Sequence, residues 1–491
     1  MTKTLIRGAD CLTLDAAETL IEGADILIEG DRITHVGPQG SASAEGAALI
    51  EAAGMVAMPG LANTHTHSYS ALLKGSVERM PLDVFMAAVI LGTGARTVDD
   101  VAVAAKLSAL EMLSTGTTRC LDHFSHRPTL SVEAVEAAAK GYAAAGVKAT
   151  IAPMFSDRPF RDTLPLSPAD MDEALAAKLP GAKAPIEPYF EMMEAALALD
   201  VPGITIIAGV DSPQRCSPAL LERAGAFCAA HGIGNHTHLL EAKTQWAMGA
   251  GESLVRRLID VGLGGPGSSF AHFIWFDLDD LSALAEAGAT VVHNPASNLA
   301  LGSGIQPLTA LMGQGIPVAF GSDGLNTGHL GMFEKVRLAG LLPRVSTTHP
   351  REWPRPHTIL QMATVNGAAA CGHPGDSGQI VAGQAADIVL LDGNSFALAP
   401  RGDLASQLLL NETGASVRHV FVGGACVWRD GASTRLDAAA VVEEAKVAAA
   451  RIARDTAGAR DVVDAFAPGL SKMVQRVLED GCGPCRIATL A

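Results

Sequence analysis

The sequence predicts a (β/α)8 barrel joined to a small β-sandwich built from both ends of the chain. Three observations lead there. From about residue 59 to 370, apolar β-prone runs alternate with segments of helical period, the pattern of a parallel sheet wrapped by helices. Residues 1–58 and 371–435 instead carry short alternating strands with Gly-rich turns. Several of the central runs end in a metal-ligand type of side chain, as strand ends meeting over one site would. Residues 436–491 read as a helical tail.

Ala24–Ile33 is an alternating run, a Gly30-Asp31 turn and a second strand start, which predicts a hairpin. The barrel begins near Met58. Thr97, followed by Asp99 and Asp100, caps a helix reaching Leu113. Strands are predicted at 116–123, 147–154 and 204–210, helices at 132–145 and 218–231, and a further strand ends in His238. Residues 155–188 are rich in Pro, Asp and Arg, with one short helical piece; a loop of that length inside a compact domain is a lid or a binding loop. Strands at 386–392 and 417–424 pair with the opening segment.

In Met58-Pro59-Gly60-Leu61-Ala62-Asn63-Thr64-His65-Thr66-His67 an apolar strand delivers two histidines with one residue between them. Residues i and i+2 of a strand share a face, so both imidazoles aim into one pocket. Alone, such a pair is commonplace. Here it is joined by His236-Thr237-His238-Leu239-Leu240-Glu241, Phe270-Ala271-His272, Val291-Val292-His293-Asn294-Pro295 and Gly321-Ser322-Asp323-Gly324, each a β-prone run ending in a polar residue.

The formal charge of −16 over 491 residues argues against nucleic acid or an anionic membrane as partner, because either wants a basic face. No apolar run reaches the roughly 18 residues of a membrane span, and the first residues lack the apolar core of a signal peptide. Eight sparse cysteines point to reduced, buried thiols, so a cytoplasmic location is expected. Cys482 and Cys485 have CxxC spacing but stand as a lone pair in the tail.

Together, Pro59-Gly60-Leu61 before His65 and His67, His238 with Glu241, His293-Asn294-Pro295-Ala296-Ser297-Asn298 and Ser322-Asp323-Gly324 resemble the amidohydrolase superfamily. The resemblance is strongest to its cytosine-, guanine-, adenosylhomocysteine- and triazine-type aminohydrolases, and runs on through Gly378-Gln379-Ile380 to Val389. It implies His65, His67, His238 and Asp323 as ligands of one divalent ion, Zn2+ or alternatively Fe2+. Binuclear branches carry a bridging Lys on the fourth strand; Ile204–Val210 has none. The resemblance also implies a division of labour. The ion lowers the pKa of its water from about 16 towards 7, Asp323 takes that water's proton, Glu241 protonates a ring nitrogen, and His272 hydrogen-bonds the attacking hydroxide.

By position, Gln214, Arg215, Asp122 and His123 are candidate substrate contacts, as are His293 and Asn298, while His236 supports a ligand. Asp211-Ser212-Pro213-Gln214-Arg215-Cys216 lacks the Pro-His step of adenosylhomocysteine-type deaminases, which favours a free base, pterin or triazine-like ring over a nucleoside. The expected function is thus hydrolytic deamination of a small nitrogen heterocycle. The rivals are same-scaffold hydrolysis of another C–N or C–halide bond (an alkylamino-triazine, aryl urea or cyclic amide) and a non-catalytic scaffold relative. Family habit implies a homo-oligomer, a dimer or larger.

Overall fold

The computed structural model describes residues 2–480 apart from 77, 78, 93, 95, 128, 182, 250 and 348. Eight parallel strands close a barrel. Leu61–His67, Thr117–Phe124 and Lys148–Phe155 pair in sequence. The fourth strand is split into Ile204–Ile206 and Gly209–Val210, both against the third. Asn235–Leu239, Ser268–His272, Thr290–His293 and Val318–Phe320 follow. A bridge from Ala208 to Asn235 joins the fourth strand to the fifth, and Asp323–Gly324 pairs back to Thr66 and His67.

The first two strands are buried along their whole length, as expected of a sheet covered on one face by helices and packed inside on the other. The expected unbroken run from 204 to 210 breaks where the backbone crowds the third strand. A Cβ on Gly209 would lie 2.6 Å from the Ala152 carbonyl oxygen, so only glycine fits this approach.

Helix starts follow their caps. Thr97 and Asp100 form a reciprocal capping box, and Ser131 and Ser217 cap Val132–Ala145 and Pro218–His231. One helix, Leu82–Gly92, has no amphipathic period to betray it. It is apolar all round because both sides are covered: Val84 and Ala87 pack with Val463, Phe466, Leu470 and Met473 of the tail, while Leu82, Phe85 and Val89 pack on Tyr69 and Leu301. Residues 155–188 contain two short helical pieces, Phe160–Thr163 and Glu173–Ala176.

The end segments join in a nine-stranded sheet around its own core of Ile6, Ile26, Ile28, Ile388 and Phe421, the small β domain expected from both ends of the chain. Its seam is the antiparallel pair of Met55–Pro59 with Ile388–Asp392, one strand from each end of the chain. The tail is two helices, Ala438–Asp455 and Ala459–Glu479. The second crosses the barrel mouth: Arg476 Nε donates to Asp170 at 2.9 Å, and Lys243 Nζ to the carbonyl oxygen of Asp480. The CxxC pair lies outside the described residues. No described helix is long and apolar enough to cross a membrane.

Candidate active site

At the carboxyl ends of the barrel strands, His65, His67, His238 and Asp323 bring their ligand atoms together. His67 Nε2 stands 3.3 Å from Asp323 Oδ1 and 3.3 Å from His238 Nε2, and His65 Nε2 is 3.6 Å from the same Oδ1. Ligand atoms at about 2.0–2.1 Å from a tetrahedral ion are about 3.3 Å apart, so the spacing fits a metal. The second nitrogens agree. His67 Nδ1 donates to the His123 carbonyl oxygen at 2.7 Å and His238 Nδ1 to that of Asp211 at 2.9 Å. His65 Nδ1 meets His236 Nε2 at 2.8 Å, and His236 Nδ1 in turn meets Ser269 Oγ at 2.7 Å. Each donation leaves an Nε2 lone pair facing inward, and that of His65 is buried without a hydrogen bond. Burial holds His238 down to about 4 and His65 well below its ordinary value, so these imidazoles are neutral, the form that ligates.

Asp323 is backbone-strained, with φ 62°, and Thr66 Oγ1 holds its carbonyl at 3.2 Å. Burial works to raise its carboxyl, but the imidazoles of His65 and His67 beside Oδ1 outweigh it and hold the group well below its ordinary value. Ser297 Oγ donates to Oδ2 at 2.6 Å.

Glu241 follows the fifth strand, after Leu240 at φ 51°. Its Oε2 is 3.7 Å from His272 Nε2, and Ser303 Oγ reaches Oε1 at 3.4 Å. Burial first, then the charges of Asp323 and Asp83, push its carboxyl well above the usual range, which favours the protonated form. His272, at φ 77°, donates from Nδ1 to Asn298 Oδ1 at 2.8 Å, which leaves Nε2 free between Glu241 and Asp323.

Not every expected substrate contact reaches the cavity. Asn298 orients His272, as just described. His293 is buried against the Phe320 ring, and His123 lies beneath the ligands with its ring 4.6 Å from that of His238. Asp122 accepts from Ser68 N and Tyr142 Oη, each at 3.1 Å, and so pins the second strand. Gln214 and Arg215 do line the cavity, about 40 Å³, with Asp83, His238, Glu241 and Gln245. The sequence reading missed Asp83 and Ser297. Asp83 had a signal: it is the one charge in the apolar stretch 81–92. Burial raises its carboxyl to about 6.

The model of the amidohydrolase family matches residues 56–427. The chain belongs to the amidohydrolase family. It is 31% identical over 461 residues to the 5-methylthioadenosine/S-adenosylhomocysteine deaminase of Desulforamulus reducens, covering 92% of this chain and 100% of the relative. In structure it is similar to a zinc-bound adenosine deaminase from Xanthomonas campestris (TM-score 0.80, 24% identity, 92% of this chain and 98% of that one). It is likewise similar to the atrazine chlorohydrolase of Arthrobacter aurescens solved with zinc (TM-score 0.81, 24% identity, 91% and 100%). At that identity the two structures speak for the amidohydrolase fold alone.

Proposed function

We propose that this amidohydrolase is a metal-dependent aminohydrolase that replaces the exocyclic amine of a nitrogen heterocycle by oxygen and releases ammonia. The observation that carries the reading is the buried Glu241 carboxyl, set 3.7 Å from His272 Nε2 over the His–Asp cluster in surroundings that raise its pKa.

His65, His67, His238 and Asp323 would hold one divalent ion, with zinc favoured because the donors are three imidazoles and a carboxylate. Bound there, the ion would supply Lewis-acid activation of water at neutral pH. The side chains do the rest. Glu241 donates its proton to the ring nitrogen beside the attacked carbon, which makes an amidine electrophilic, and recovers one from the adduct's hydroxyl as the carbonyl forms. Asp323, ionised and steadied by Ser297, accepts the proton of the attacking water and returns it to the departing amine, which leaves as ammonia. His272, with Nδ1 on Asn298 Oδ1, presents Nε2 to hydrogen-bond that water.

The named substrate of the deaminase relative is an adenine nucleoside, whereas Asp211–Cys216 departs from the Pro-His step, so both nucleosides and free rings belong in the assay. Solution as a cytoplasmic homo-oligomer stays part of the proposal.

The test is metal content with ammonia and chloride release across purines, purine nucleosides, pterins, pyrimidines and triazines, for wild type and Glu241→Gln. We expect one ion per chain in both proteins, ammonia from one ring class, and a loss of about 100- to 10,000-fold in the variant. Chloride without ammonia would replace the reading by C–halide hydrolysis, and no product from any ring would overturn it.

A further inference from the structure

Beside the cavity over Glu241 lies a second, larger chamber of about 410 Å³, above the ends of the second to fourth barrel strands. Three of its lining residues are arginines, Arg127, Arg158 and Arg215, and among the described residues Asp211 is the one carboxylate that lines it. Asp211 is already engaged: Arg215 Nη1 donates to its Oδ2 at 3.0 Å. Arg158 is spent on backbone, Nη1 to the Gln214 carbonyl oxygen at 2.9 Å and Nη2 to that of Asp162 at 2.7 Å. Arg127 has no hydrogen bond or ion pair with any described residue, although it sits in the chamber wall. A guanidinium taken partly out of water is costly without an acceptor, and its planar fork suits a carboxylate or phosphate.

The two chambers share a wall. Arg215, Phe160 and Thr163 line both, and the Arg215 guanidinium lies over the Phe160 ring at 5.1 Å. Asp211 belongs to the arginine chamber, and its carbonyl oxygen holds His238 of the metal cluster at 2.9 Å. A substituent that extends from a ring over Glu241 past the shared Arg215, Phe160 and Thr163 enters the chamber that Arg127 lines. The chain as a whole carries −16, so this local excess of positive charge runs against the charge of the molecule.

We infer that the substrate heterocycle carries an anionic substituent, carboxylate or phosphate, and that the Arg127 chamber binds it while the ring lies over Glu241. The inference rests on the aminohydrolase reading for the ring, but the anion site is tested apart from turnover.

The experiment uses paired rings on the metal-loaded protein: pterin with pterin-6-carboxylate, adenosine with adenosine 5′-monophosphate, and 5-methylthioadenosine with S-adenosylhomocysteine. Binding is read by calorimetry and turnover by ammonia. In one pair, the member that carries the carboxylate or phosphate should bind more tightly than its partner without it. Arg127→Gln should remove that advantage, about 10- to 100-fold as for one charge-assisted hydrogen bond, and leave the neutral ring unchanged. Arg127→Lys, which keeps the charge, should restore part of it. The pair that responds separates carboxylate from phosphate. Such binding without ammonia release would sink the deaminase reading and leave the anion site standing. Equal affinities within every pair in wild type, or an equal loss on both members in the variant, would overturn the anion site.

Discussion

The two chambers at the barrel mouth are built on opposite principles. The small cavity over Glu241, about 40 Å³, opens on a proton-transfer centre set at strand ends, where His238 stands on the fifth strand and Leu240, His272 and Asp323 hold left-handed backbone beside it. The chamber of about 410 Å³ beside it is walled largely by loop residues, including members of the segment 155–188. Atoms that exchange protons need placement within fractions of an ångström, and short, closed strands supply it. Groups that recognise a substituent tolerate more play, and loops can differ among relatives without disturbing the chemistry.

Removing the metal by chelation is the harshest way to break that comparison. Ammonia release should fall to background, while the affinity advantage of the anionic over the neutral ring changes by no more than about threefold, since sites that share few partners couple weakly. A parallel collapse of that advantage would show the chambers to be one unit joined through Asp211.

A finer probe is Asp83→Asn. Glu241 must hold its proton to act, so its rate is present below its folded pKa and lost as pH rises through it. That pKa is raised by burial and by the charges of Asp323 and Asp83. Removing the Asp83 charge should move the alkaline limb of kcat/KM to lower pH; an unmoved limb would mean that another group sets it.

The smallest expected effect is on the roof. Arg476 and Ser167 hydrogen bonds keep the Asp170 carboxyl down at about 2. A depressed carboxyl stabilises the fold above its unfolded value, near 4, and that contribution is lost as pH falls towards 2. Asp170→Asn should therefore cost about 1 kcal/mol at neutral pH, and the difference from wild type should close on acidification, read by thermal unfolding at pH 7 and 3.

The His–Asp cluster was legible because its ligands sit on strands, where spacing in sequence is spacing in space: His65 and His67 share a face by period alone. Glu241 was legible by its offset from His238. Roles set by contacts across the barrel were not. Asn298 and His293 lie near each other in sequence, yet one orients His272 and the other packs on Phe320. The helix Leu82–Gly92 was hidden because its partner lies some 380 residues away in the tail, and without that partner its apolar surface shows no period. The small β domain was legible in its strands, while the register of the seam between the chain ends depends on pairing across more than 300 residues and was not.

That distance along the chain has a consequence in time. The barrel strands, metal ligands included, are complete at residue 324, whereas the helix that braces the roof spans 459–479 and the sheet seam waits for 388–392. During synthesis from the N-terminus, the ligand cluster therefore emerges more than a hundred residues before its cover. For that interval helix Leu82–Gly92 and the segment 155–188 lack the tail residues Val463, Phe466, Leu470 and Met473 that pack on them, so the bracing of the barrel mouth comes last in synthesis.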